Sequence, residues 1–247
     1  MALLALSPAA AANSYETELS TTGVETLHVD WANGDVELIA DDSTGVRITA
    51  SGGASSGWLD YTDFSVLGGE AKAVFDTKGR AGNISVDLTI RFPRGLGVEV
   101  TAGNGGVTVT GGSAVDIDAG NGNVSVSGVT GDTIVDAGNG NVELEIPQNF
   151  SAVADLDAGN GNVVVGIGGG FSGEVQVSDG NGNVEVTFSA VPEGLAVDAR
   201  TGMGSVTTDL PGAEAVTSLM GGAISRKGNS CSLKITAGLG DIEVLVD

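Results

Sequence analysis

The sequence predicts an all-β fold, a parallel β-solenoid with two strands per coil and an N-terminal β cap. Three observations predict it. One short phrase recurs along the second half of the chain at steps of 17 to 22 residues, the mark of stacked repeat units. Apolar and polar residues alternate with period two on both sides of that phrase, as half-buried strands require. Gly accounts for 41 of 247 residues and Pro for only 5, which supplies tight turns without the G-X-Y period of collagen or the composition of a disordered chain. Aromatics are only 4% of the chain, so the core is expected to consist of small and β-branched side chains.

In chain order, residues 1–13 come first. Met1 to Ala12 (MALLALSPAAAA) is an apolar run followed by small residues, like the end of a secretory signal cleaved near Asn13, although no Lys or Arg precedes it. It is read as a signal-peptide remnant, which places the protein in the periplasm, at the cell surface or outside the cell. No later stretch approaches the ~18–20 continuous apolar residues of a membrane-spanning helix.

Residues 14–100 are read as the cap and first irregular coils. Strand-like runs cover Thr26 to Ala40, Gly45 to Ala50, Asp63 to Phe75 and Ile84 to Phe92, and seven of the ten aromatics fall here. Terminal repeats must cover an open core end, and large aromatic side chains suit that work. Trp58, Tyr61 and Phe64, in the Gly/Ser-rich segment SGGASSGWLDYTDF, are expected either to pack in the cap or to present aromatics to a glycan or protein partner.

Residues 101–247 are read as the regular solenoid. The phrase is AGNGGVTV from Ala102, AGNGNVSV from Ala119, AGNGNVEL from Ala137, AGNGNVVV from Ala158 and DGNGNVEV from Asp179; weaker copies start at Thr201, Leu219 and Ala237, and WANGDVEL from Trp31 is an early relative. Gly and Asn tolerate positive φ, so each phrase marks a corner between two strands. Stacking predicts one inward row of Val100, Ile117, Val135, Leu156, Val177, Ala199 and Ile235. It predicts a second of Val107, Val124, Val142, Val163, Val184, Val206, Ile224 and Ile242. Asn104, Asn121, Asn139, Asn160 and Asn181 should form one amide ladder, and Asn123, Asn141, Asn162 and Asn183 another.

An NGDV segment, the strand Val86 to Pro93 leading into VEVTAGNGGVTV, and the repeated GNGNV coils together resemble the bacterial and archaeal adhesin-like family of β-strand repeat proteins. The resemblance covers residues 24 to 247. It implies a right-handed β-solenoid at or outside the cell surface and brings no catalytic residues.

The formal charge of −22, from 10 basic and 32 acidic residues, argues against nucleic acid and anionic membrane as partners. Between Thr101 and Ala199 there are thirteen acids and no Lys or Arg. Asp118, Asp136 and Asp157 hold one outward position in three successive coils, about one strand spacing of ~4.8 Å apart. Like charges opposed in this way repel, so these three are the candidate ligands of a weakly bound Ca²⁺, the alternative being plain solvent screening. No other cofactor is expected. The calcium β-roll pattern itself does not fit, because Val124, Val142, Val163 and Val184 stand where it needs Asp.

His28 is the single histidine and is expected on a solvated or edge position, which leaves a Ser-His-Asp triad or a His-based metal site without its parts. The lone Cys231 is expected buried. Lys72, Lys78, Arg80, Arg91 and Arg94, five of the ten basic residues, suggest a basic cap on an acidic body. The sequence therefore points to an exported, non-catalytic structural or adhesin-like protein. Self-association through solenoid ends into a filament is the alternative, and a glycan-cleaving β-helix is a remote third reading.

Overall fold

The computed structural model describes residues 14–53, 57–77, 84–218 and 221–247. The signal-like stretch 1–13, the Leu219 repeat start, Lys78 and Arg80 lie outside the described residues. The protein is all-β, with one 3-10 turn over Trp58–Tyr61 among the described residues. Its first strands are β1 (Ser14–Ser20), β2 (Thr26–Asn33), β3 (Val36–Asp41), β4 (Gly45–Gly52), β5 (Thr62–Leu67), β6 (Glu70–Phe75) and β7 (Val86–Pro93). The runs expected over Thr26 to Ala40 and Asp63 to Phe75 are each two strands. A corner at Gly34 (φ +119°) breaks the first, and Gly68 and Gly69, with φ of +65° and +89°, turn the second into a hairpin.

The repetitive middle follows as β8 (Gly97–Asn104), β9 (Val107–Thr110), β10 (Val115–Asn121), β11 (Val124–Ser127), β12 (Thr133–Asn139), β13 (Val142–Ile146), β14 (Val153–Asn160), β15 (Val163–Ile167), β16 (Glu174–Asn181) and β17 (Val184–Phe188). Even-numbered strands pair parallel in one sheet and odd-numbered strands pair parallel in the other. The register is set by hydrophobic alternation, because a one-residue slip would turn every Val outward. Ile117 accordingly pairs with Val100 and Val135, and Val135 with Leu156; all four are buried.

The chain ends with β18 (Leu195–Met203), β19 (Val206–Thr208), β20 (Glu214–Ser218), β21 (Gly221–Arg226), β22 (Cys231–Leu239) and β23 (Ile242–Val246). In all, the sheets hold eleven and twelve strands, and both mix parallel and antiparallel pairing.

Chain order and spatial order part at both ends. β8 and β9 lie directly on β2 and β3, while β6 and β7 occupy the outer side of β2 and β3. At the other end β22 and β23 sit between β16/β17 and β18/β19. The predicted row is therefore reordered to Val177, Ile235, Ala199. Ile224 leaves the valine row altogether and pairs antiparallel with Ala199 in the other sheet. Repeat period specifies that a strand pair forms; it does not specify which neighbour the pair takes.

Antiparallel strands close the stack. β4 lies on β7 and β1 on β4 in one sheet, β5 on β6 in the other, and β21 on β18 with β20 on β21 at the far end. A file of aromatic rings seals the first end between the sheets. Tyr15 stacks on Phe64 at 5.5 Å, Phe64 on Trp31 at 6.5 Å, and Trp31 meets Phe75 at 5.2 Å. Trp31 donates its indole Nε1–H to the Val86 carbonyl at 2.6 Å, so its one polar atom is satisfied in the core.

Candidate functional site

The corners are built from backbone constraint. Gly122, Gly140 and Gly161 have φ of +142°, +144° and +145°, and a Cβ on any of them would stand 2.0 Å from a carbonyl oxygen of the preceding strand pair. No other residue fits there. The first predicted ladder forms with one additional member, since Asn104, Asn121, Asn139, Asn160 and Asn181 each donate Nδ2–H to the Oδ1 of the Asn one strand pair back, beginning at Asn33, over 2.8–3.1 Å. Beyond Asn181 the same place is taken by Leu239 and then Met203, both exposed.

The second ladder is bonded differently from the amide-to-amide pattern expected. The backbone N–H of Asn141, Asn162 and Asn183 donates to the side-chain Oδ1 of Asn123, Asn141 and Asn162 at 2.9–3.0 Å. Acids extend it at both ends. Asp241 N–H donates to Asn183, and the Ser205 N–H and hydroxyl donate to Asp241 at 2.7 and 2.8 Å, which holds the Asp241 carboxyl below its ordinary value. Asp87 accepts from Asp35 N–H, and Asp35 accepts from Gly106 N–H. Gly106 is the gap: it offers no side chain to the next corner. There the surface opens into a shallow groove of about 700 Å³ lined by Asp35, Glu37, Asp87, Thr108, Asn123 and Ser125 among others.

Asp118, Asp136 and Asp157 do come into line. They pair in register on β10, β12 and β14, exposed on the outer face, with Thr101 before them and Ser178 after. Partial desolvation raises the Asp136 carboxyl above its ordinary value, and the charges of Asp157 and Asp118 push the same way. The three form a line, each on its own strand. Among the described residues, no group of three or more His, Cys, Asp or Glu side chains converges where one metal ion could sit. The neighbouring row relieves its own charge with help from the end of the chain: Gln176 donates to Asp155 at 3.2 Å and Lys234 Nζ reaches Gln176 at 3.3 Å.

Asp179, one of the thirteen acids between Thr101 and Ala199, does not share the outward face of Asp118, Asp136 and Asp157. It stands in an inward file between Ala158 and Ala237, 5% exposed, and neither carboxylate oxygen closes a hydrogen bond. Burial pushes it up to about 6, against the pull of the nearby Asn181 and Gly180 backbone N–H groups, and the Asp157 charge adds to the rise. The signal was in the sequence: Asp179 replaces the Ala that opens the four preceding copies of the phrase.

The aromatic segment packs inward, with Trp58 4% exposed against Gly52 and Phe64 between Tyr15 and Trp31. The described members of the basic cap are paired: Lys72 with Glu70 at 2.8 Å, Arg91 with Asp41 at 3.7 Å and Arg94 with Asp42 at 3.1 Å. Half-exposed His28 meets Glu99 at 3.4 Å on an interior strand of its sheet, and Cys231 is buried as expected.

Solved structures similar to this chain include a candidate cell adhesion protein from Clostridium sporogenes ATCC 15579. The likeness covers 95% of this chain and 99% of that one, at 13% identity and a TM-score of 0.44. A candidate adhesin from Bacteroides fragilis NCTC 9343 is similar over 94% and 96%, at 11% identity and 0.42. A candidate lipid binding protein from Parabacteroides distasonis ATCC 8503 is similar over 94% and 96%, at 14% identity and 0.43. No family model and no curated protein matches the chain.

Proposed function

We propose that this chain is an exported, non-catalytic β-solenoid that works as an adhesin-like scaffold at the cell surface or in the extracellular matrix. The observation that carries the reading is the unbroken register of the repetitive middle. From β8/β9 to β16/β17 every strand pair sits on the last with Asn104, Asn121, Asn139, Asn160 and Asn181 opposed at the corner. Such a body holds long rows of outward side chains at fixed ~4.8 Å spacing, which suits contact with extended or repetitive partners better than it suits a reaction at one point. The acidic surface and the signal-like start favour an extracellular setting.

The test is protease shaving of intact cells carrying the tagged full chain, together with an adhesion assay against a deletion strain. Loss of the tag signal on shaving and reduced adhesion on deletion are expected; a tag protected from protease in intact cells, or unchanged adhesion, sinks the proposal. A filament is the weaker alternative, because antiparallel strands end the parallel stacking and would leave β5 and β20 as the joining edges of the twelve-stranded sheet. Negative-stain images at several salt and Ca²⁺ concentrations should show single particles, and fibres would replace this reading with the filament.

A further inference from the structure

We propose that the groove at Gly106 is a binding site for the neutral sugar units of a glycan chain. The inference starts from a glycine that the fold does not need. Gly106 lacks a left-handed φ, and the atoms nearest to a Cβ built on it are Asn123 O and Asp35 Oδ1, both 3.5 Å away, an ordinary contact distance. Its equivalents at the other corners are Asp35, Asn123, Asn141, Asn162, Asn183, Asp241 and Ser205, all bearing polar side chains. Six of those seven accept a backbone N–H from the next strand pair in the stack. With Gly at 106 the Asn123 N–H loses the side-chain acceptor its successors have, a cost with no compensating relief of strain. What the missing side chain provides is space.

The space has a chemistry. Asp35, Asp87 and Glu37 each commit one oxygen, to Gly106 N–H at 2.8 Å, Asp35 N–H at 3.1 Å and the Thr89 hydroxyl at 3.3 Å, and so stand in fixed orientations with no described residue bonded to their second oxygens. Thr108 and Ser125 add hydroxyls from β9 and β11, and Asn123 adds a backbone N–H. Acceptors beside donors match sugar hydroxyls, each of which both donates and accepts. Among the described residues no Lys, Arg or His lines the groove, so its three carboxylates repel phosphates and uronates. A basic peptide would use the carboxylates and leave the hydroxyls idle. The volume, about 700 Å³, falls in the range of small-ligand sites, and a second groove of about 450 Å³ sharing Asp35, Asp87 and Gly105 continues around the corner, as a chain of sugars would need.

The site deepens the scaffold reading by naming what one part of the surface holds, and it rests on that reading only for the extracellular setting. The experiment uses the purified full chain with neutral glucan, mannan and galactan oligosaccharides, and with polygalacturonate and polylysine as charged controls. Wild type should bind at least one neutral oligosaccharide with little change between 0.15 and 1 M NaCl. Gly106→Asn should weaken that binding at least tenfold, on the scale of two lost hydrogen bonds to charged groups, while its urea midpoint equals or exceeds that of wild type because a ladder rung is restored. Thr108→Val, which leaves the corner intact, should weaken binding severalfold. No neutral binding by wild type, equal binding by Gly106→Asn, or a Gly106→Asn chain that fails to fold overturns the proposal. Binding confined to polylysine and abolished by 1 M NaCl overturns it in favour of a basic peptide. The scaffold reading stands or falls separately on the cell-surface assay.

Discussion

The repetitive middle and the two ends are made from the same strand pairs, yet they are held by different means. In the middle, chain order equals spatial order, the core is mostly Val, Ile, Leu and Ala with Phe150, Phe171 and Phe188 in ring contact with one another, and specificity resides in glycine corners and Asn ladders. At the ends a later strand pair returns to fill a place behind an earlier one, antiparallel strands are added, and rings at the first end replace aliphatic side chains. Repetition makes a stack without limit, so stopping it requires residues and pairings that break the repeat.

If corners carry the middle, a single Cβ there should cost more than any other small change. Gly140→Ala places that atom 2.0 Å from the Gly122 oxygen at a φ of +144°, whereas Gly106→Ala meets nothing closer than 3.5 Å. Urea unfolding followed by circular dichroism should show a loss on the order of 3 kcal/mol or more for the first and under ~0.5 kcal/mol for the second. Equal effects would mean that corner glycines are interchangeable and the contrast with Gly106 is empty.

If rings carry the first end, Phe64→Ala should loosen that end and spare the middle. Truncation removes the partner that Tyr15 and Trp31 share, and a loss of roughly 2–3 kcal/mol follows from a large half-buried ring. Hydrogen exchange should speed up in β1, β4 and β5 while β10 to β15 keep their protection. Uniform acceleration throughout the protein would instead make it a single cooperative unit.

This contrast also explains what the sequence could say. The strands and corners between residues 97 and 188 were legible because short-range alternation and a recurrent turn fix local geometry and, by repetition, the neighbour as well. The displaced pairs β6/β7 and β22/β23 were not legible, since nothing local in Glu70–Phe75 or Cys231–Leu239 states which strand lies alongside. The line of Asp118, Asp136 and Asp157 was read correctly from phase. Phase also held at Asp179, where the inward position was evident from Ala119, Ala137 and Ala158, but a count of acids by segment conceals one that points the other way. The groove depends on a side chain that is missing, and it becomes visible only when Asp35 and Asn123 are known to flank Gly106 in space.

Asp179 offers an intermediate test of the same contrast, since it sits in the last pair of the regular middle, where β22 takes the place beside it. Its folded-state value of about 6 lies above the ordinary 3.8, so the folded protein holds the proton more tightly than the unfolded chain does. The neutral carboxyl is the form the core tolerates. The contribution of Asp179 to stability should therefore be greatest below about pH 4, fall as pH rises from there to about 6, and stay level above that. Asp179→Ala, which restores the alanine file, should be more stable than wild type by about 2 kcal/mol at pH 7.5 and near parity at pH 4. A difference independent of pH would assign the gain to packing alone.

The smallest expected effect concerns the exposed acids of the middle. Asp136 lies between Asp118 and Asp157, and its carboxyl is raised first by partial desolvation and then by the charges of those two neighbours. Asp136→Asn removes the central charge, and in 10 mM salt it should stabilise the protein by a few tenths of a kcal/mol, shrinking toward zero at 0.5 M as screening takes over. A bridging Ca²⁺ makes a different forecast: 5 mM Ca²⁺ should raise the wild-type Tm beyond what matched ionic strength does, EDTA should reverse it, and the Asn variant should lose most of the response. The two outcomes divide cleanly. A salt-dependent gain with no specific Ca²⁺ response makes the row a solvated face whose charge is tolerated because its spacing is fixed by the corners, while a Ca²⁺ response abolished by Asp136→Asn makes the same three strands the place where the stack is tightened by its surroundings.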